Sequence, residues 1–256
     1  NRHIPDMAPS SVLITGANRG IGLGFVRHYL GLKGVKHVFA ATRNPAGATE
    51  LNELSADKRL HIVKMDVQND ESIVQAEKTV AKTVGNEGLT LLINNSGVNN
   101  PVLLDGPPNR KNILSTLDVN VAGPIVVSQV FLPLLRKAAA VHSSLPVGVN
   151  RAAIVNISSG AGSITMNENQ GPPGLIVYRA SKTALNSVTK TLSCIAIKDN
   201  VLTVAVMPGY VATSLTENKG ELTVEQSIDL MTKAMETYGR EHNGGFFGKD
   251  GKPFPL

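Results

Sequence analysis

Ser11-Val12-Leu13-Ile14-Thr15-Gly16-Ala17-Asn18-Arg19-Gly20-Ile21-Gly22 is the stretch whose reading decides the fold. Its first five residues form an apolar, β-branched run of strand character, the next seven a glycine-rich turn, and an amphipathic stretch then runs to about Lys33. Strand, turn and helix stand in the order a phosphate site requires. Glycine permits positive φ and close approach of the backbone to a ligand, and a helix N-terminus offers unpaired N–H groups to an anion. The spacing is G-x-x-x-G-x-G, so position between a strand and a helix carries the reading more than spacing does. Gly16, Asn18, Arg19, Gly20, Ile21 and Gly22 are the candidate dinucleotide contacts.

Outward from this stretch, apolar runs alternate with amphipathic ones. His37 to Thr42 reads as a second strand, followed by Arg43. A dinucleotide fold places an Asp or Glu about 20 residues after its glycines for the ribose 2′-hydroxyl, and an Arg there accommodates a 2′-phosphate. Thr42 and Arg43 occupy that place, with Arg19 in the glycine turn, so the pattern favours NADP(H) over NAD(H). Leu60 to Met65 is a third strand ending in Asp66-Val67, where the carboxylate either accepts from an adenine amino group or caps the helix expected over Asp70 to Val84. Leu89 to Ile93 has the continuous apolarity of a central parallel strand and stops at Asn94-Asn95-Ser96-Gly97. A long helix is expected from about Arg110 to Ala139, with Asn120 inside it either bonding back to the helix or holding a water.

Ala152 to Ser158 is a fifth strand, and Val201 to Val206 a sixth that ends in Met207-Pro208-Gly209-Tyr210-Val211-Ala212-Thr213. Between them, a polar loop containing Gly171-Pro172-Pro173-Gly174 leads to a helix carrying Tyr178 and Lys182. Four residues apart on a helix, the two side chains leave one face. An ammonium beside a phenol favours phenolate, so Lys182 is expected to depress the Tyr178 pKa and make it a general acid or base. A last helix from Leu222 to about Thr237, with Thr223 as N-cap, and a strand at Gly245-Phe246-Phe247-Gly248 complete the pattern. The whole predicts one α/β domain over 11–256, a doubly wound parallel sheet of about seven strands with helices on both faces, preceded by a tail over 1–10.

Composition narrows the function. The net charge of +5 is dispersed, aromatic content is 4% and Trp is absent, so a small anionic ligand fits better than nucleic acid. Six scattered histidines and a single cysteine support no metal site and no internal disulfide. Cys194, in the apparent apolar stripe of the Tyr178 helix, is expected in the core. No apolar run is read as reaching the roughly 20 residues that span a bilayer. A reduced, soluble, cytoplasmic protein is expected, with Met7 as a candidate start.

These motifs, in this order, resemble the classical short-chain dehydrogenase/reductase family from Ser11 to the C-terminus, and within it the sniffer and C-factor-like carbonyl reductases. Thr15 to Gly22 is similar to the family's T-G-x-x-x-G-I-G, and Asn94 to Gly97 to its N-N-A-G, with Ser96 replacing Ala. Asn120, Ser159, Tyr178 and Lys182 match its catalytic tetrad, and Pro208, Gly209, Val211 and Thr213 its nicotinamide-side turn. The resemblance implies that Tyr178 hands a proton to a carbonyl oxygen while the nicotinamide delivers hydride to its carbon. It further implies that Lys182 holds the nicotinamide ribose, that Ser159, or its neighbour Ser158, polarises the carbonyl, and that Asn120 positions a water. Cofactor contacts are implied at Asp66, Val67, Asn94, Ser96 and Gly97 as well. The nineteen-residue step from Ser159 to Tyr178 exceeds the family's usual one and marks an insertion beside the substrate. The expected activity is NADPH-dependent reduction of an aldehyde, ketone or quinone in a homodimer or tetramer. The alternatives are an alcohol- or hydroxysteroid-oxidising dehydrogenase and a non-catalytic NADP(H)-binding sensor or scaffold.

Overall fold

Ser11–Thr15 forms β1, and all five residues are buried. That total burial follows from successive side chains pointing to opposite faces of a sheet that is covered on both. The computed structural model describes residues 8–167 and 174–256. The expected tail over 1–10 is too long, because Ala8 packs on the core and the Ser10 carbonyl accepts from Lys36 N at 2.8 Å. Of the Gly171-Pro172-Pro173-Gly174 loop, only Gly174 falls among the described residues.

Strands β2 (His37–Thr42), β3 (Leu60–Lys64), β4 (Leu91–Asn94), β5 (Ala153–Ile157), β6 (Leu202–Val206) and β7 (Phe246–Phe247) join β1 in one seven-stranded sheet. Its order is β3-β2-β1-β4-β5-β6-β7, and every pairing is parallel. β1 therefore lies between β2 and β4, with Val12 in register with Val38 on one side and Leu91 on the other. The chain winds outward in both directions from this gap, which puts a crevice at the carboxyl ends of β1 and β4.

Two apolar layers hold the sheet. Val12 and Ile14 pack with Phe25 and Tyr29 of α1 (Gly20–Gly31) and Met231 of α7 (Val224–Glu236). Leu13 and Phe39 face the other way, onto Ile73 and Val80 of α3 (Asp70–Val84) and Phe131 of α5 (Gly123–Val141). Phe25, Phe39 and Phe131 are wholly buried, each contributing roughly 1.5–3 kcal/mol of apolar burial. α3 has the expected bounds, and Asn69, not Asp66, caps it by accepting from Ser72 N at 2.7 Å. α7 starts on the expected Thr223 cap, closed by Gln226. A short α2 (Thr49–Asn52) went unforeseen, being a single turn with too few residues to show a period.

The helix expected from Arg110 is interrupted. α4 (Arg110–Leu117) runs into a π-turn at Asp118–Ala122 before α5 begins. Pro124 has no N–H to give to Asn120, and Gly123 N reaches back five residues to Asp118 O, so the helical ladder widens here. The whole stretch Arg110–Val141 is long and apolar enough to cross a membrane by length and composition, contrary to the expectation. In the fold its apolar residues Val119, Val127, Phe131 and Leu135 instead cover one face of the sheet.

The helix carrying Tyr178 is α6 (Ile176–Ala196). It buries Val177, Ser181, Lys182, Leu185, Asn186, Thr189, Ser193 and Ala196, so only three of the eight inward residues are apolar. Cys194 lies about 100° round from Ser193 and is exposed, which corrects its placement in the core.

Candidate active site

Gly16 and Gly20 both take positive φ, +65° and +52°, so the chain can reverse tightly between β1 and α1. Gly22 is needed for a different reason: a Cβ there would stand 2.2 Å from the Gly16 carbonyl oxygen. The turn is also tied across the gap to β4. Thr15 Oγ1 accepts from Asn95 N at 3.0 Å and from Ser96 N at 2.9 Å, and Asn95 Nδ2 donates to Thr15 O at 2.8 Å. These ties hold open a crevice of about 760 Å³ that runs from Arg43 past the glycines to Tyr178. Its size is within the range for small-molecule sites.

The fit to a dinucleotide rests on what α1 leaves bare. Its first turn carries no acid and its Arg19 N-cap makes no side-chain cap, so backbone N–H groups face the crevice beside glycines with no Cβ to obstruct an anion. At the end of β2 and just beyond it, Thr42, Arg43, Asn44 and Gly47 line the same crevice. Arg19 and Arg43 are exposed there, and among the described residues neither has a carboxylate in salt-bridge range. Two unpaired guanidinium groups and no acid in the stretch directly after β2 suit a 2′-phosphate. Asp66 also lines this end and accepts from Gln68 N at 3.1 Å through one oxygen.

At the other end, α6 brings Tyr178 and Lys182 to the crevice one turn apart. Lys182 is buried, and its Nζ donates to the Ile157 carbonyl at 2.8 Å while lying 5.8 Å from the centroid of the Tyr178 ring. Burial pushes the Tyr178 phenol above its ordinary value, and a hydrogen bond with Ser159 pulls part of the way back. The expectation that Lys182 depresses the Tyr178 pKa is therefore not met: loss of water around both groups outweighs their proximity. Lys182 itself is lowered by burial to about 8.

The two candidate serines have different partners. Ser158 borders the crevice, but its hydroxyl is committed to Asn186 Oδ1 at 2.6 Å. Ser159 is not among the residues lining the crevice, but it is the serine whose hydroxyl acts on the Tyr178 phenol, lowering its pKa. Asn120, presented by the π-turn, neither bonds back to its own helix nor faces the crevice. Its Oδ1 accepts from Val98 N and its Nδ2 donates to Val98 O, both at 2.9 Å, and Nδ2 also reaches Ser181 Oγ at 2.9 Å. Ser181 in turn donates to Tyr178 O at 2.7 Å, so Asn120 braces the loop after β4 against the backbone of Tyr178.

Gly16, Asn18, Arg19, Gly20, Ile21, Gly22, Thr42, Arg43, Asp66, Val67, Ser96, Gly97, Pro208 and Thr213 all line the crevice. Asn94 does not. It is buried on the same face as Leu92, where Nδ2 donates to Asn156 Oδ1 at 2.8 Å and to Ser128 Oγ of α5 at 3.1 Å. Period-two alternation along β4 forces this inward turn, and the next residue, Asn95, takes its place at the crevice. Gly209 and Val211 also stand behind the rim, the Val211 carbonyl accepting from Thr216 Oγ1 at 2.6 Å. Asn95, Gln68 and Leu215 line the crevice without having been singled out. For Asn95 the alternation was the available signal.

Lys182 carries a stability consequence. Its folded pKa, about 8, lies below the ordinary lysine value, so folding disfavours its charged form. That penalty is fully present below about pH 8, shrinks as pH rises toward the unfolded value, and is absent above it. Lys182→Met is accordingly expected to raise the melting temperature at neutral pH while removing turnover, with the gain in stability vanishing in alkaline buffer. Calorimetry at neutral and alkaline pH checks this, and an unchanged or lowered neutral melting temperature would refute it.

Residues 10–223 match the family model described as short chain dehydrogenase. An uncharacterised oxidoreductase of Schizosaccharomyces pombe is 32% identical over 263 residues, covering 95% of this chain and 96% of that protein. The carbonyl reductase Sniffer of D. melanogaster superposes with a TM-score of 0.92 at 35% identity, over 97% of this chain and all, 100%, of that one. An NADPH-bound carbonyl reductase from chicken fatty liver gives a TM-score of 0.91 at 36% identity, over 97% of this chain and 99% of that one.

Proposed function

From the premise that the chain belongs to the short-chain dehydrogenase family and is an oxidoreductase, we propose that it is an NADPH-dependent carbonyl reductase acting on an aldehyde, ketone or quinone. One observation carries this reading most directly. The Tyr178 phenol, protonated at neutral pH at its ordinary value and pushed further up by burial, stands on the wall of a dinucleotide-sized crevice together with Lys182. A neutral phenol is a donor, which is what a carbonyl oxygen needs as it becomes an alcohol.

When bound, the reduced nicotinamide supplies a hydride to the carbonyl carbon. Arg19 and Arg43 hold the 2′-phosphate end, and the glycine turn with the bare N-terminus of α1 holds the pyrophosphate. Lys182, fixed by the Ile157 carbonyl, keeps two remaining N–H donors for ribose hydroxyls. Ser159 donates to the carbonyl oxygen and stabilises the negative charge that develops there. Tyr178 Oη passes its proton to that oxygen and becomes phenolate, and Lys182 beside the ring stabilises the phenolate until a solvent proton replaces the one lost. Asn120 holds the loop after β4 and the Tyr178 backbone in register. The fully filled tetrad supports turnover over a purely sensing role. One exposed thiol, Cys194, suits a reducing compartment such as the cytoplasm.

A screen of NADPH oxidation over aldehydes, ketones, quinones and steroids tests the reading. NADPH consumption with a member of the first three classes supports it. Oxidation of alcohols with NADP⁺ and no reduction of any carbonyl would overturn it. The cofactor assignment has its own test in Arg43→Asp. Removing a charge-assisted phosphate contact costs about 1.5–3 kcal/mol, so the NADPH-over-NADH preference in kcat/KM should fall about ten- to a hundredfold. An unaltered ratio would place the 2′-phosphate elsewhere.

A further inference from the structure

The turn that follows Ser159 is held from two sides. On the inner side, α6 presses against it: Thr183 Oγ1 donates to Gly162 O at 3.0 Å, and a Cβ at Gly162 would lie 2.8 Å from the backbone of Lys182. On the outer side, the residues after β7 fold back. Gly251, at φ +78°, donates its N–H to Gly248 O at 3.0 Å, Gly248 N donates to Lys252 O at 2.8 Å, and Phe247 bridges antiparallel to Pro253. Phe254 N then donates to Phe246 O at 2.8 Å.

That register places the Phe254 ring at one spot. It meets Phe246 edge-on at 5.3 Å, and a Cβ on Gly160 would be 3.7 Å from its Cζ and 3.3 Å from Met207 Sδ. Two residues further, the Leu256 carbonyl accepts from Thr165 N at 2.9 Å and from the Thr165 hydroxyl. Ser159 itself caps the short turn Gly160–Gly162 by accepting from Ala161 N at 3.2 Å. A turn with glycines at two of its three positions has little stiffness of its own, so its placement depends on what packs around it.

We infer that the strap Pro253–Leu256 is the outer brace of the Ser159 turn, and that Phe254 is a positioning residue that aims the Ser159 hydroxyl at the carbonyl oxygen. The inference rests on the reading of Ser159 under Proposed function. With the ring gone, Gly160 keeps Met207 Sδ beside it but loses the two ring atoms that back it, and the turn relaxes outward, away from Tyr178. No residue of the strap is among those lining the crevice, so cofactor affinity is left alone.

The test is kinetic comparison of Phe254→Ala and Phe254→Leu with the unaltered protein, using NADPH and a carbonyl found active in the screen. Phe254→Ala is expected to lower kcat about ten- to a hundredfold, the cost of a small misplacement, with the NADPH dissociation constant unchanged. Phe254→Leu should recover most of the loss. A structural role alone would not move the pH profile. The Ser159 hydrogen bond lowers the Tyr178 pKa, so weakening it moves the alkaline fall of the reduction rate to higher pH. In a Ser159→Ala background, Phe254→Ala should have no further effect on kcat. A lowered melting temperature with normal kcat and an unmoved pH profile would overturn the inference, as would an undiminished Phe254→Ala loss in the Ser159→Ala background. Full activity of Ser159→Ala alone would overturn the role of Ser159 beneath it, which is a distinguishable result.

Discussion

Tyr178→Phe is expected to lower carbonyl reduction on the order of 10²–10⁴-fold, the usual worth of a positioned acid, while NADPH titration gives an unchanged dissociation constant. The substitution removes one hydroxyl and leaves the ring in place over Lys182. Its structural cost is small, because the partner that loses a bond, Ser159, is only half-buried and keeps its bond to Ala161 N. The glycine turn and both arginines line other parts of the crevice and are untouched by the change. The unaltered protein has a matching pH signature. Burial raises the Tyr178 pKa, so the protonated donor persists through neutrality and the reduction rate falls only as alkaline pH removes that proton. Steady-state kinetics across pH, with fluorescence titration of NADPH, checks both statements. Unchanged turnover in Tyr178→Phe would eliminate the phenol as the proton source.

The features that were readable from sequence share a physical cause. In an open parallel sheet ligands meet the chain only where strands end, so each polar cluster after an apolar run, Gly16 to Gly22, Thr42-Arg43, Asp66-Val67 and Ser96-Gly97, marks the crevice wall. What was not readable depends on which way a side chain turns at such an end. Asn94 and Asn95 are chemically identical, yet alternation sends the first into a buried network with Asn156 and Ser128 and the second to the crevice. Asn120 was visible as an odd residue in a helix, but its partners could not be read, because the π-turn that aims it at Val98 arises from the missing N–H of Pro124 four residues on. Cys194 was misplaced because α6 buries Ser181, Thr189 and Ser193, so an apolar stripe does not mark its inner face. The Tyr178 pKa went the other way because spacing shows that an ammonium is near and says nothing of how much water both groups lose.

Gly22→Ala is expected to remove saturable NADPH binding and to lower the melting temperature. The added Cβ would stand 2.2 Å from Gly16 O and 2.6 Å from Asn95 Nδ2, and neither neighbour is the loose end of a flexible side chain. Asn95 Nδ2 is fixed by its bond to Thr15 O, and Gly16 sits at the end of a strand paired on both sides. Either the Gly16 turn moves into the crevice or α1 is driven off the sheet. Phe25 and Val26 are wholly buried beneath α1, so overpacking of about 1–3 kcal/mol or more results, a fall of several degrees in a domain of this size. Both movements separate the glycine backbone from the helix N-terminus, which together form the phosphate cradle. The opposite end of the same helix supplies the control. At Gly31 a Cβ would meet nothing within 4 Å, so Gly31→Ala should stabilise by about 0.5–1 kcal/mol through reduced backbone entropy, with NADPH affinity untouched. Two substitutions alike in chemistry and nine residues of α1 apart thus differ in sign because one faces the strand end that carries the site and the other faces solvent. Thermal melts and NADPH titrations on the pair read both effects. Normal NADPH binding by Gly22→Ala would mean that the crevice beside β1 is not where the cofactor lies.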